Sequence, residues 1–510
     1  MVDIKVVDLF AGPGGLGEGF SSFSNAQGDY PFRTAISVEK ETSAHKTLTL
    51  RSYVRRLLKN GDSLVEYFAY LRGERSIPYS DQTKAAWVDA TVETIQETLG
   101  TISGDNLVME RVRKVLGNSK NWVLIGGPPC QAYSVIGRSR NKGVRDYIPE
   151  ADHRHFLYRA YLNLLAELHP PVFLLENVKG ILTSKVSGDL IFPSILRDLS
   201  DPAGSTGKSG PRYRIHSISN DKYFEHGHEL DSNYTSNYIV KAESYGLPQA
   251  RHRVILIGVR EDIDKKPRKL DYATAPTVAE IIGDMPFLRS GISKDDGAIE
   301  WIVTVQQYAE NLKKSFKDVD RDLSDKLAEI SVFFNNTKIN TLSRGGRFVS
   351  HPRTMAGGID WWIGNNAPPY GFANHETRGH MSSDLLRYLF ASSYALVHGR
   401  SPIAADFPES LAPLHKNWSS GEFDDRFKVQ LWNLPSTTIT SHMSKDGHYF
   451  IHPDPRQCRS LTVREAARLQ TFPDNYFFEG NRTPQYVQVG NAVPPLLGRM
   501  IASRIYELIS

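Results

Sequence analysis

The sequence predicts an α/β fold: a mostly parallel sheet covered by helices on both faces, followed by a second, smaller domain. Three observations predict it. Short apolar runs alternate with segments of helical spacing, and runs without polar interruption suit strands buried on both sides. The first run opens into the glycine-rich turn Phe10-Ala11-Gly12-Pro13-Gly14-Gly15, as a nucleotide-type α/β unit does. The texture changes after Pro286, where Gly-Gly pairs, Trp361-Trp362 and NNAPPYG replace clean periods.

In order, Ile4–Leu9 is the first strand and Thr34–Val38 the second, ending at Glu39. Residues 41–118 mix charge with helical spacing (Val54, Leu57, Leu58; Leu64, Tyr67, Phe68, Leu71) and read as mainly helical. Trp122–Ile125 is a strand running into GGPPCQAYS. Phe156, Leu157, Tyr161, Leu164, Leu165 and Leu168 mark a helix, which His169-Pro170-Pro171 stops. Val172–Glu176 is a strand, Asp201–Gly210 an exposed loop, and Tyr238–Val240 and Arg253–Val259 two further strands. Residues 290–430 read as an irregular, loop-rich second domain. Leu461–Gln470 reads as an amphipathic helix, and the chain closes on VGNAVPPLLGRMIASRIYELI, a turn followed by a helix.

Composition limits the class. The chain has 510 residues, 40% hydrophobic and 23% charged, which suits two to four folded domains and excludes global disorder. Its 61 Lys and Arg against 57 Asp and Glu leave a net charge of +4, too small to identify a polyanion partner by itself. Two cysteines, Cys130 and Cys458, exclude a disulfide-stapled scaffold. No apolar stretch approaches the ~20 residues of a membrane span, and MVDIKVVDLF lacks signal-peptide character. A soluble intracellular protein is the expectation.

Few residues can carry chemistry. Glycines in the first turn let backbone approach a ligand, although Pro13 breaks the dinucleotide spacing and a ligand-free turn would look the same. Glu39, at a strand end, can accept from ribose hydroxyls or be an ordinary surface glutamate. Cys130 follows a Gly-Gly-Pro-Pro turn at the sheet edge, where a thiol can be held toward substrate; Cys458 has no such turn and reads as structural. Glu176 ends a buried strand, so it must pair with a cation or keep a raised pKa. Arg251 and Arg253 flank His252 at the start of another strand, alone no more than a charge cluster.

The order of these blocks resembles the DNA (cytosine-5) methyltransferase family. The matching segments are DLFAGPGGLGEGF, GGPPCQAYS, LLENVKGIL, YGLPQARHRVILIGVR, RSLTVREAARLQTFPDNY and QYVQVGNAVPP, from residue 8 to about residue 500. The resemblance implies an S-adenosylmethionine-dependent, Rossmann-like methyltransferase fold with a target-recognition domain. Phe10, Ala11, Gly12, Pro13, Gly14, Gly15, Glu39, Lys40, Asp105, Pro129, Asn491 and Ala492 would hold S-adenosylmethionine. Cys130 would be the nucleophile, Glu176 its partner at N3, and Arg251 and Arg253 the substrate-holding arginines. Gln131, Ser134, Arg138, Arg140 and Lys142 would contact DNA in a basic, glycine-bounded loop, with a solvated charge run as the lesser alternative. No metal is assigned.

The resemblance divides the chain into 1–285 (catalytic and cofactor-binding), 286–479 (target recognition, over about 290–430, and a connecting block of family motif) and 480–510 (a return to the first domain). Arg344, Arg347, Arg353, Asn374 and Arg378 are candidate base readers, though a structural role suits most of them better. Two stretches exceed the family outline, the one after Glu39 and 214–237; both read as surface decoration and loosen the Asp105 match. The expected function is cytosine-5 methylation of flipped-out bases in duplex DNA within a host-defence system, by a cytoplasmic, nucleoid-associated monomer with a cognate restriction protein. The rivals are a tRNA cytosine-5 methyltransferase, a silent DNA-binding protein and a dinucleotide-dependent oxidoreductase.

Overall fold

The computed structural model describes residues 3–128, 154–186, 188–230, 234–354, 358–368, 370–413, 418 and 424–510. Five strands run parallel: β1 (Ile4–Leu9), β2 (Phe32–Glu39), β3 (Thr94–Gln96), β4 (Trp122–Gly126) and β5 (Val172–Val178), in the order β3-β2-β1-β4-β5. Their Val, Ile and Leu side chains are buried on both faces, as the uninterrupted apolar runs require.

The sheet then changes direction. β6 (Tyr213–His216), β7 (Tyr223–Phe224), β8 (Ile239–Lys241) and β9 (His252–Arg260) extend it, and β9 pairs antiparallel with β5, with β6 and with β8. The sheet is therefore mixed rather than mostly parallel. The stretch 214–237 is not surface decoration, because β6 and β7 complete this edge and Tyr213, Ile215 and Phe224 enter the core.

Helices cover both faces. α1 (Gly15–Ser22) lies on one. The insertion after Glu39 contributes α2 (Thr42–Asn60), α3 (Val65–Arg72) and α4 (Lys84–Glu93). α5 (Ile102–Leu116), α6 (Arg154–Leu168) and α7 (Phe192–Ser200) cover the other face with Val108, Val112, Leu165 and Leu196. Between α7 and β6, Pro202–Ser205 forms one helical turn capped by Asp201.

The described part of residues 290–430 is irregular over much of its length but is built on three long helices, which the loop-rich expectation left out. It contains α8 (Ala298–Phe316), α9 (Arg321–Asn336), the antiparallel pair β10 (Gly345–Val349) and β11 (Phe372–Glu376), and α10 (Ser382–His398). Trp301, Leu312, Leu327, Phe334 and Leu389 build a separate core there. α11 (Val463–Leu469) follows, but it has no solvent face: Arg464, Glu465 and Arg468 are as buried as its apolar residues. α12 (Arg482–Asn491) leads to α13 (Pro495–Ile509), which returns to α1. The two helices touch because Gly19 has no side chain; a Cβ there would lie 2.5 Å from the backbone of Gly498.

The insertion α2–α4 is likewise no decoration. Its core of Tyr53, Tyr67 and Leu71 includes Ala373 of β11 and Phe477, with Phe348 of β10 packed against it. No helix among the described residues is long and apolar enough to cross a membrane.

Candidate active site

The first turn leaves β1 through Phe10, Gly12 and Gly14, all at positive φ. The Ala11 N–H donates to the Val38 carbonyl (3.0 Å) and the Gly14 N–H to the Ala11 carbonyl (2.9 Å), which folds the turn back over β2. Gly12 faces open space, whereas a Cβ on Gly15 would strike the Val493 carbonyl at 2.2 Å. The segment Ala492-Val493 thus lies against the turn, while Asn491 beside it is exposed. Glu39 ends β2 and accepts from the Gly12 N–H (2.9 Å) and the Glu41 N–H (2.8 Å). Burial raises its carboxyl against those hydrogen bonds. Lys40, next to it, is exposed. An open glycine turn with a carboxylate at the adjacent strand end fits the nucleoside and amino-acid ends of S-adenosylmethionine. Behind the turn, Asp8 is buried, and desolvation outweighs the nearby Gly17 N–H and the attraction of Arg55 and pushes its pKa up to about 7.

A second group gathers at the carboxyl ends of β4 and β5. Glu176 sits one residue past the point where Leu175 pairs with Gly126. Because β9 runs antiparallel, its first residues reach the same edge: Arg253 pairs with Val178, and its Nε lies 2.9 Å from Glu176 Oε1. The Arg253 Nη1 donates to the His252 carbonyl (2.8 Å). Burial outweighs the attraction of Arg253 and Arg251 and holds the Glu176 carboxyl above its ordinary range. Gly127 lies so close that a Cβ would be 2.9 Å from Glu176 Oε2. Asn177 Nδ2 donates to the Pro128 carbonyl (3.2 Å), fixing the chain just before Cys130. Sequence reasoning missed Asn177, whose signal was its place after the strand-end glutamate.

Two expected residues do other work. Arg251 precedes β9 in a turn, so the i, i+2 alternation of a strand does not aim it like Arg253. Its Nη1 donates to Ile439 O (2.7 Å), and its Nη2 to Gly490 O (3.2 Å) and Ala492 O (2.8 Å). Arg251 therefore binds chain carbonyls instead of presenting a fork to substrate. Asp105 lies in the first turn of α5 and accepts from the Gly100 N–H (2.8 Å). The carboxylate that directly follows β3 is Glu97, whose N–H donates to the Glu39 carbonyl (3.2 Å); nothing in the local sequence marked it.

Pro129, Cys130, Gln131, Ser134, Arg138, Arg140 and Lys142 lie outside the described residues. Cys458 is buried and its Sγ donates to Pro455 O (3.1 Å); burial pushes this thiol well up. The candidate base readers are engaged within the chain. Arg344 pairs with Asp296 (2.8 Å), Arg353 with Asp360 and Asp474, and Arg347 donates to Tyr70 O (3.1 Å) and Leu71 O (3.2 Å). Arg378 holds Met443 O and Lys445 O (both 2.8 Å), and Asn374 bonds the backbone of Phe478 through both ends of its amide.

An α/β sheet with a glycine turn at the end of β1 and an acid–arginine pair at the ends of β5 and β9 is an arrangement that nucleoside-cofactor enzymes use. Residues 65–203 and 225–507 match the family described as C-5 cytosine-specific DNA methylase. The chain belongs to that family. It is 32% identical over 527 residues to the type II methyltransferase M.Bpa9945I of Bacillus paralicheniformis, covering 99% of each chain. It is 26% identical over 540 residues to the type II methyltransferase M.AgeI of Thalassovita gelatinovora, covering 99% of this chain and 100% of that one. A solved structure of a candidate DNA modification methyltransferase encoded within an E. coli prophage superimposes with a TM-score of 0.53 at 18% identity, covering 99% of both chains, and shares the fold.

Proposed function

We propose that this chain methylates C5 of cytosine in duplex DNA as the modification partner of a type II restriction system. It would act in the cytoplasm at the nucleoid, as a monomer on DNA beside a cognate restriction protein. The observation that carries the reading is the Glu176–Arg253 pair, set at 2.9 Å on the sheet edge that Gly-Gly-Pro-Pro joins to Cys130. In this reading the turn Phe10–Gly15 and Glu39 hold S-adenosylmethionine, with Ala492 closing the pocket. The bound cofactor supplies an electrophilic methyl group.

The chain's own residues make the pyrimidine able to accept it. The Cys130 thiolate adds to C6 of a flipped-out cytosine, and the proton on Glu176 goes to N3, so electron density collects at C5. Burial, which holds the Glu176 carboxyl above its ordinary range, favours its carrying this proton. Arg253 orients Glu176 and offers its remaining Nη2 to the developing charge at O2. Loss of the C5 proton to a base then re-forms the C5–C6 double bond, expels Cys130 as the thiolate and returns the N3 proton to Glu176, which frees the product. Residues 286–479 would read the target, with the helical core of α8–α10 as their scaffold; Gln131, Ser134, Arg138, Arg140 and Lys142 would grip the backbone phosphates.

Bisulfite sequencing of DNA from cells expressing the chain tests this. Methylated cytosines should appear at one sequence context, and purified protein should modify duplex DNA but not tRNA. Cys130→Ser should abolish the product and Cys458→Ser should not. A 5-fluorocytosine oligonucleotide that yields no adduct through Cys130 would refute the mechanism.

A further inference from the structure

We propose that Tyr476 is a positioning residue for the cofactor turn, holding it through the Pro13 carbonyl. The inference rests on the reading that Phe10–Gly15 binds S-adenosylmethionine. Tyr476 lies 463 residues from Pro13 in the segment between α11 and α12, and its ring is fully buried. A buried phenol needs a hydrogen-bond partner, and its hydroxyl donates to the carbonyl oxygen of Pro13. The hydroxyl also sits under the next residue: a Cβ on Gly14 would be 3.1 Å from it and 2.8 Å from Leu48 Cδ1. Gly14, at φ +100°, is the only kind of residue that fits above this contact.

The ring is itself held in place. Phe472 and Phe478 pack on it with centroids 4.8 and 5.4 Å away, and the Arg51 guanidinium stacks over it at 4.8 Å. Arg51 is fixed by a two-point bond to Glu18 (2.5 and 2.8 Å) on α1, the helix that begins in the turn, and by Asn475 Oδ1 (3.0 Å). Tyr476 therefore braces the Pro13–Gly14 peptide while Arg51 braces the helix after it. With the Pro13 carbonyl drawn inward, the turn presents Gly12 to open space. Without the hydroxyl, that peptide is freer to rotate and to turn its carbonyl dipole toward the ligand.

The test uses S-adenosylhomocysteine and the full-length protein. By calorimetry, Tyr476→Phe should weaken its binding about ten-fold, as expected for one lost buried hydrogen bond. In kinetics, the KM for S-adenosylmethionine should rise by a similar factor, with kcat at saturating cofactor and the KM for DNA unchanged. Phe450→Leu thins the same hydrophobic core without removing a ring that packs on Tyr476, and should leave the Kd unchanged at a comparable loss of thermal midpoint. An unchanged Kd in Tyr476→Phe, or an equal weakening in Phe450→Leu, overturns the proposal. So does a fall in kcat alone. Glu39→Ala separates the two ideas. If it abolishes binding while Tyr476→Phe binds normally, the turn is the cofactor site and Tyr476 does not position it. If wild type binds no S-adenosylhomocysteine, the reading of the turn fails and takes the proposal with it.

Discussion

Gly127 sets how closely the chain after β4 can pass Glu176. Its missing Cβ would stand 2.9 Å from Oε2 of a carboxylate that has almost no freedom, since Arg253 holds Oε1. Gly127→Ala should push Glu176 off that geometry. The expected result is a fall in kcat of about ten- to a hundred-fold, the scale on which small displacements of a catalytic group act. The thermal midpoint should drop by only a few degrees, and circular dichroism alongside single-turnover methylation checks both. At this scale the sequence speaks through exceptions. A charge ending an apolar strand announced Glu176. The different duties of Arg251 and Arg253 were invisible, because a guanidinium two residues from another carries no mark of which carbonyls it will meet. Asp105 shows the same limit: a Gly-Asp pair looks alike at the end of a strand and inside the first turn of a helix.

Elements were read best where period and length agree. β1, β2, β4 and β5 lie where the apolar runs lie, and the closing helix lies where expected, although Val489-Gly490-Asn491 end α12 and only Ala492–Pro494 make the break before α13. The spacing of α8 and α9 was equally present, in Trp301, Val305, Ala309 and Leu312 and in Leu323, Leu327, Ile330 and Phe334; the glycines and tryptophans beyond residue 343 obscured it. The direction of β9 could not be read, since apolar runs look the same both ways, yet that direction is what brings Arg253 to Glu176. α11 misled by its arginines. Polar positions read as a wet face, but Arg459 closes on Glu465 (2.7 Å) and Arg468 on Asp474 (2.7 Å) and Asp284 (2.6 Å) inside the protein. Thr462 caps this helix in a reciprocal capping box with Glu465 and also meets His375 Nδ1 (2.9 Å). Thr462→Ala should cost about 2 kcal/mol, because a cap and a buried imidazole partner are lost together. Urea unfolding of the two proteins measures it.

Over the whole molecule, buried imidazoles set the acid limit. Desolvation lowers His216 and His452 to about 4 and His375 to about 3, from an ordinary 6.5. Below pH 6.5 the unfolded chain takes up protons that the folded chain refuses, so stability falls with pH down to the folded values. Above pH 7 these groups contribute no slope. Each can cost up to about 1.4 kcal/mol per pH unit in that window. Asp8, raised to about 7, has the opposite slope below that pH, but one carboxyl does not cancel three imidazoles. Urea midpoints should fall slightly from pH 7.5 to 6.0 and more steeply to 5.0; a midpoint constant from 7.5 to 5.0 would contradict buried, neutral imidazoles.

The insertion after Glu39 reaches across the protein as well. Arg347 of β10 lies over the rings of Tyr70 (4.8 Å) and Phe477 (4.4 Å), and Tyr70 in turn bonds Glu479 (2.6 Å). Anyone grafting the β10–β11 hairpin from a relative to redirect this protein would need to transplant α3 with it, or else redesign the aromatic socket into which that arginine plugs.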